Sequence, residues 1–225
     1  MQYIRANKSK LMNENFLLEN SRKNLNNEFE FIPLENIHNI LTIEGIEKMS
    51  DASYAIVVAH FIKVSLDNTD VTKLYRVYCK NCDAEMLLHD QHRESALFNK
   101  HCPKLYSCPQ SECPYYSNPI AEEDEDKIRL DLNCYCQIAD HTGSLKKCFL
   151  KTNCITSYFG VKTVDFIKMN EKSRIELNWK LLLNRFKIYL WTGRRSFKSS
   201  ERSAYIIHIT QPSIYEINNY SIKNY

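Results

Sequence analysis

The chain has 225 residues, is 44% hydrophobic and carries a formal net charge of +3. Its apolar content is enough to bury a core, which excludes a disordered chain, and its length suits one large domain or one ordinary domain with extensions. The charge is unevenly spread: residues 127–202 hold 16 Lys/Arg against 6 Asp/Glu, a net of +10, which leaves −7 elsewhere; such asymmetry marks either a polyanion-binding face or a solvated basic surface.

Residues 1–31 are rich in Asn, Lys, Glu and Ser and read as a linker or the remnant of an upstream domain, with a weak helix around 13–24. They open without the apolar core of a secretory leader. The longest purely apolar run, 55–59, is far too short to span a bilayer, so no membrane partner is expected. Pro33 ends this segment. A short helix followed by a turn at Gly45 is expected within 34–49. Residues 54–66, rich in Val, Ile, Tyr and Phe, predict the first strand. Asp67-Asn68-Thr69-Asp70 turns the chain, and 74–78 form a short second strand that runs into Cys79.

The segment 79–113 holds two cysteine pairs, Cys79/Cys82 and Cys108/Cys113, around a loop with His89, His92, His101 and Cys102. In a reducing compartment, nucleus or cytosol, such spaced pairs point to metal rather than disulfides. Thiolates two to four residues apart can chelate one tetrahedral Zn²⁺ from a single knuckle. Cys79, Cys82, Cys108 and Cys113 are therefore the expected ligands, with Cys102 as a rival and His89 and His101 as weaker ones. Four cysteines leave no open position, so the zinc would be structural. The acidic run 122–126 reads as a solvated connector.

Residues 128–138 alternate. Ile128, Leu130, Leu132, Cys134, Cys136 and Ile138 fall on one side; Arg129, Asp131, Asn133, Tyr135 and Gln137 fall on the other. This predicts one eleven-residue strand with a polar face, its cysteines packed in the core. Residues 145–151 are its partner across the turn at Gly143, and Cys148 and Cys154 read as structural. Residues 161–168 and 171–185 predict helices, the second with an apolar stripe of Ile175, Leu177, Trp179, Leu181 and Leu182. Residues 186–191 alternate again, 193–202 form a basic loop, 204–209 a last strand, and 213–225 a tail without clear period. The expected fold, over residues 32–212, is mainly β: a five-stranded OB-fold barrel with an inserted zinc ribbon and one or two helices, the kind of barrel whose exposed strands and loops bind oligonucleotides.

Single-strand binders combine a basic groove with aromatic platforms. The candidates are Tyr75, Arg76, Lys146, Lys147, Phe149, Lys151, Lys187, Tyr189, Trp191, Arg194, Arg195, Phe197 and Lys198. The same exposed aromatics would equally suit a protein partner, so a pure assembly subunit that never touches DNA stays open. A metal-dependent nuclease needs clustered carboxylates, whereas Asp131, Asp140 and Asp165 stand apart in the sequence.

Three runs carry a resemblance: Asp140-His141-Thr142-Gly143-Ser144-Leu145, then Phe159-Gly160-Val161-Lys162-Thr163-Val164-Asp165-Phe166, then Trp179-Lys180-Leu181-Leu182-Leu183-Asn184-Arg185-Phe186-Lys187-Ile188-Tyr189-Leu190. With the order strand, cysteine ribbon, strand, Gly turn, strand, helix, strand, strand, they resemble the C-terminal zinc-bearing OB domain of the replication protein A large-subunit-like family. The closer likeness is to its meiosis-specific OB-domain branch, MEIOB, over roughly residues 32–212. The resemblance implies a nuclear protein of meiotic chromosomes, with the cytoplasm as a second location, acting in double-strand-break repair by homologous recombination and in synapsis. It implies association with single-stranded DNA, with a spermatogenesis-associated partner resembling the replication protein A middle subunit, and with replication protein A itself. In that family this domain chiefly binds the partner, DNA binding belongs mainly to an upstream OB domain, and a 3′–5′ single-strand exonuclease activity has been credited. The chain departs from the family in showing no counterpart of that upstream domain, and in a tail, 213–225, that is short for the long helix which assembles replication protein subunits.

Overall fold

The computed structural model describes residues 32–66, 74–88, 104–193 and 203–222. The linker 1–31, the turn 67–70, His89, His92, His101, Cys102, and Arg194, Arg195, Phe197 and Lys198 of the basic loop lie outside the described residues. The chain divides into two units, Met1–His38 and Asn39–Tyr225. In the first, a 3-10 turn at Leu34–Asn36 follows Pro33. The second holds the barrel.

Five strands close that barrel: β1 (Ser53–Val64), β7 (Cys134–Ala139), β8 (Ser144–Leu150), β9 (Arg185–Thr192) and β10 (Ser203–Thr210), in the order β1-β7-β8-β10-β9. All pairs are antiparallel except β8 with β10, which is parallel. With five strands in this order the barrel has OB-fold topology. Period-2 alternation builds the interior: Ala55, Val57, Ala59 and Phe61 of β1 lie beside Phe186, Ile188 and Leu190 of the paired strand β9 on the inner face, all essentially without solvent contact. The Phe61 and Phe186 rings meet edge-on with centroids 5.3 Å apart, a preferred aromatic geometry.

Between β1 and β7 the chain leaves the barrel. There β2 (Tyr75–Cys79) pairs with β6 (Ile128–Leu132), and β3 (Leu87–Leu88), β4 (Leu105–Ser107) and β5 (Ile120–Ala121) form a small second sheet. Two sequence expectations are corrected here. Residues 74–78 are a strand, but outside the barrel. The run 128–138 is two strands in different sheets, broken at Asn133, whose N–H turns away to donate to Leu74 O at 2.7 Å. Burial still alternates through the break, so the pattern alone cannot reveal it.

Three helices fill the β8–β9 connection. Helix α2 (Thr152–Phe159), absent from the expected elements although Cys154, Ile155, Tyr158 and Phe159 stand at helical spacing, ends at Gly160 in the left-handed conformation (φ 65°) that glycine adopts without strain. Helix α3 is Thr163–Lys168. Helix α4 (Glu171–Leu182) is capped by Asn170, whose side chain accepts from Ser173 N–H at 2.9 Å. It stops at Leu182 because Arg185 already belongs to β9. Its buried positions are Arg174, Asn178 and Leu181, and Trp179 of the expected stripe is exposed.

Two terminal helices complete the unit. Helix α1 (Ile43–Lys48) contains Gly45 in its first turn, where its N–H donates to the Thr42 side chain at 3.1 Å. Helix α5 (Ile214–Ile222) occupies the segment expected to be an aperiodic tail.

Candidate metal centre and nucleic-acid interface

The two cysteine knuckles come together. Cys79 closes β2 and the chain reverses at once, with Asp83 at a φ of 57° and its N–H donating to Cys79 O at 2.8 Å. Cys108 follows β4, and a second tight turn brings Cys113 N–H to Gln110 O at 3.0 Å. The four sulfurs all lie within 4.8 Å of one another. Cys79 Sγ is 3.6 Å from Cys113 Sγ, and Cys82 Sγ is 3.3 Å from Cys108 Sγ. These spacings are too long for disulfides, where sulfurs sit about 2 Å apart. They fit four thiolates about 2.3 Å from one tetrahedral ion, which sets S···S near roughly 3.8 Å. The donor set could therefore hold a metal ion, and the residues are the four that the spacing indicated. Among the described residues this is the only such cluster.

The thiols are not equivalent. Burial pushes Cys108 up to about 12. Burial also opposes ionisation of Cys113, but the Tyr115 N–H and the other thiols around it bring that group down to about 7. Metal ligation requires thiolates, so loading the site would release thiol protons.

The ribbon sits on a polar footing. Tyr75 is buried, its hydroxyl donating to Glu122 and accepting from Lys104 Nζ at 2.6 Å. Arg76 Nη1 donates to both carboxylate oxygens of Glu85, at 2.6 and 2.7 Å. Both were candidate DNA contacts, and the structure uses both inside the ribbon.

On the barrel, a bulge orders the outward face of β8. Cys136 pairs with Cys148 and Ile138 with Leu145, so Lys146 and Lys147 together oppose the single Gln137. An extra residue in one strand re-aims side chains. Here both lysines turn outward and are exposed. One step along, aromatic rings cross four adjacent strands in register: Tyr135 of β7, Phe149 of β8, Tyr205 of β10 and Trp191 of β9. Centroids are 4.9 Å apart for Tyr135–Phe149, 4.9 Å for the stacked Phe149–Tyr205 pair and 5.8 Å for Tyr205–Trp191. Phe149 and Tyr205 use their faces on each other. Tyr135, at the end of the row and 43% exposed, is the ring that offers a face to solvent. Its backbone is tied to Ser65 by two hydrogen bonds, of 2.9 and 3.0 Å.

The other candidates are placed differently. Trp191 points outward by strand parity, as expected, yet is only 2% exposed and packs at the end of the row. Lys151 is half-buried at the start of α2, and burial lowers its pKa. Lys187 pairs with Glu216 at 2.6 Å, and its Nζ lies 5.5 Å from the Tyr189 ring centre. Tyr135 and Tyr205 were not among the candidates. The alternation that set Tyr135 on the polar side of its strand was the signal for it; the row itself depends on register, which a sequence does not display.

The Asp140–Gly143 turn is a junction. Asp140 Oδ1 accepts from Thr142 N–H (2.8 Å), Thr142 Oγ1 (2.7 Å) and Gly143 N–H (3.1 Å). Oδ2 accepts from Ile43 N–H at 2.9 Å, and the Tyr220 hydroxyl lies 2.8 Å away. Thr142 Oγ1 accepts from Glu44 N–H at 3.1 Å. The turn thus satisfies the first amide groups of α1, donors that a helix cannot pair internally, and fastens α5.

No protein-family model matches the chain. Relatives are found by sequence. A rat protein described as "Meiosis-specific with OB domain-containing protein" is 26% identical over 188 residues, 78% of this chain and 35% of that protein. The Macaca fascicularis protein of the same description is 25% identical over 189 residues, with the same coverage. "Protein hold'em" of Drosophila melanogaster is 26% identical over 109 residues, 48% of this chain and 22% of that protein. The chain spans about a third of the length of the two mammalian relatives. Among solved structures, a chain from "Structure and Conformational Change of a Replication Protein A Heterotrimer Bound to ssDNA" aligns with a TM-score of 0.57 at 12% identity, over 94% of this chain and 46% of that one. By sequence the chain is similar to the meiosis-specific OB-domain proteins, and by fold it is an OB barrel similar to that of replication protein A.

Proposed function

We propose that this chain is a zinc-stabilised OB-fold module that binds single-stranded DNA and acts with protein partners in meiotic homologous recombination and synapsis, in the nucleus. One observation carries the DNA reading: on the outward β7–β8 face, the one OB-folds present to oligonucleotides, an exposed Tyr135 ring lies one step from two lysines that a bulge turns outward. A base stacks on the first and phosphates meet the others. The relatives' description supports the meiotic setting. The structural neighbour, a replication protein A heterotrimer bound to ssDNA, supports single-stranded DNA as the ligand and a subunit partnership of the same type. The spermatogenesis-associated partner and replication protein A itself are the partners this reading names. Zinc is the metal assigned to Cys79, Cys82, Cys108 and Cys113, closing its own coordination shell and fixing the ribbon rather than doing chemistry.

The test is fluorescence anisotropy with a labelled oligo-dT at several salt concentrations. Tyr135→Ala is expected to weaken binding about tenfold, within the roughly 1–3 kcal/mol of a base–aromatic stack. Lys146→Glu with Lys147→Glu should flatten the salt dependence by about 1.4 in log K against log salt. If the wild-type chain and its Glu216→Gln variant both leave the oligonucleotide free at low salt, the DNA half of the proposal is removed. The second reading, a pure assembly subunit, is favoured by exposed Leu87 and Tyr116 on the ribbon and Trp179 and Leu183 near the end of α4, since aromatic side chains are enriched at interfaces. Under it, pull-down of the partner survives the lysine and Tyr135 changes and is lost on Leu183→Glu with Trp179→Ala.

A further inference from the structure

Helix α5 lies back on the barrel wall, held by polar contacts and by the buried Tyr220 ring, which meets His141 edge-on with centroids 5.8 Å apart. Glu216 Oε1 accepts from Lys187 Nζ of β9 at 2.6 Å. Its other oxygen accepts from Ser213 N–H and Ser213 Oγ at 2.9 and 3.0 Å, and Glu216 N–H donates to Ser213 Oγ at 3.2 Å, a reciprocal capping box. One turn on, the Tyr220 hydroxyl reaches Leu41 O at 2.7 Å as well as Asp140. The apolar side chains at the helix start do not add to this attachment: Ile214 and Tyr215 are 78% and 75% exposed. A nine-residue helix is marginal on its own in water, so docking at these few polar points and at the Tyr220 ring is what keeps it in place.

Beneath it is an anion site. The Lys187 ammonium sits over the Tyr189 ring, and that ring packs on His208 of β10 with centroids 5.6 Å apart. Cation and ring are on the outward side of β9, the side that carries Trp191 two residues further along, so this pair continues the aromatic face of the barrel. A carboxylate occupies the position at Lys187 where a phosphate oxygen would bind.

We propose that α5 is an autoinhibitory latch: Glu216 fills in cis the anion site made by Lys187 over Tyr189, and undocking of the helix adds one phosphate contact and one aromatic ring to the single-strand-binding face. This rests on the single-strand reading above. The occupant is specified by the chemistry, a carboxylate giving way to a nucleic-acid phosphate on the same ammonium.

The experiment uses the full chain and the same labelled oligo-dT. Glu216→Gln is expected to tighten binding roughly threefold to tenfold at low salt and to steepen the salt dependence by about 0.7, one added phosphate contact. Adding Lys187→Gln to Glu216→Gln should abolish that gain. Glu44→Gln removes another surface carboxylate, one paired with Lys48 at 2.7 Å, and should leave affinity unchanged. In amide exchange, saturating oligonucleotide should speed exchange within α5. If the wild type binds and Glu216→Gln equals it, or the gain persists without Lys187, or Glu44→Gln gives the same gain, the latch is wrong and the single-strand reading stands. If only Glu216→Gln binds, the latch is complete and supported. If neither binds, both proposals fall.

Discussion

Replacing Asp140 with alanine should lower the melting temperature by about 10 °C. The carboxylate faces five donors drawn from three parts of the chain: Ile43 in α1, Thr142 (twice) and Gly143 in the turn, and Tyr220 in α5. Each buried donor left without an acceptor costs about 1–3 kcal/mol, less where water reaches it. A total near 3–4 kcal/mol is therefore expected, and in a protein of this size each kcal/mol is worth about 2–4 °C. Tyr220→Phe removes one of these contacts and should cost about 1 kcal/mol, and the double variant should fall short of the sum because both changes act on one carboxylate. The charge state matters too. Burial opposes ionisation of Asp140, yet the Ile43 and Thr142 N–H groups, the Thr142 hydroxyl and Tyr220 outweigh it and hold the pKa below its ordinary value of 3.8. A depressed carboxylate stabilises the fold fully above that ordinary value and ceases to do so as pH falls through the depressed one. Thermal melts at neutral pH and near pH 3 therefore check the same residue in two ways. A loss below about 3 °C for Asp140→Ala would show that the turn does not act as a junction.

Replacing Cys113 with serine should empty the metal site and unfold the ribbon while leaving the barrel folded. The part of the ribbon beyond the β2–β6 pair is thinly built. Its small sheet rests on two register pairs between β3 and β4 and two between β4 and β5, whereas structural zinc contributes about 10–16 kcal/mol of apparent binding free energy in small peptides. Metal analysis should give one zinc per chain for the wild type and close to none for Cys113→Ser. Limited proteolysis should then cut within 79–121 and spare the barrel strands. Full metal occupancy in Cys113→Ser would assign the ion to other ligands, and unchanged proteolysis would deny it a structural role.

The strands and the metal ligands were legible because both are written in local spacing. Composition rich in Val, Ile, Tyr and Phe marks β1, period-2 alternation marks β7 and β9, and two knuckles two and four residues wide mark the four cysteines. What could not be read is which distant group each side chain meets. Tyr75 and Lys187 have the composition of nucleic-acid contacts, yet their acidic partners, Glu122 and Glu216, lie 47 and 29 residues away. Trp191 shows the same gap, since parity sets the side of a strand and not what covers that side. The aromatic row needs four strands in register, one of them parallel, and no single segment contains that information. Helix α5 was more accessible: Ser213 followed three residues later by Glu216 is a capping signature, obscured by the weak apolar period after it.

The parallel pairing of β8 with β10 has a consequence for how the chain is made. Every ligand of the metal centre and three of the five barrel strands leave the ribosome before Leu150, but the strand that closes the barrel begins only at Ser203. The ribbon, whose ligands lie close in sequence, can take up its ion early. The growing sheet, by contrast, must wait with the edge of β8 unpaired, and an open edge is where nascent chains pair wrongly with one another. Chains halted before Thr210 should therefore be captured by chaperones or lost to aggregation even when fully metallated, so that the last strand, rather than the zinc, sets the moment at which the newborn protein becomes safe.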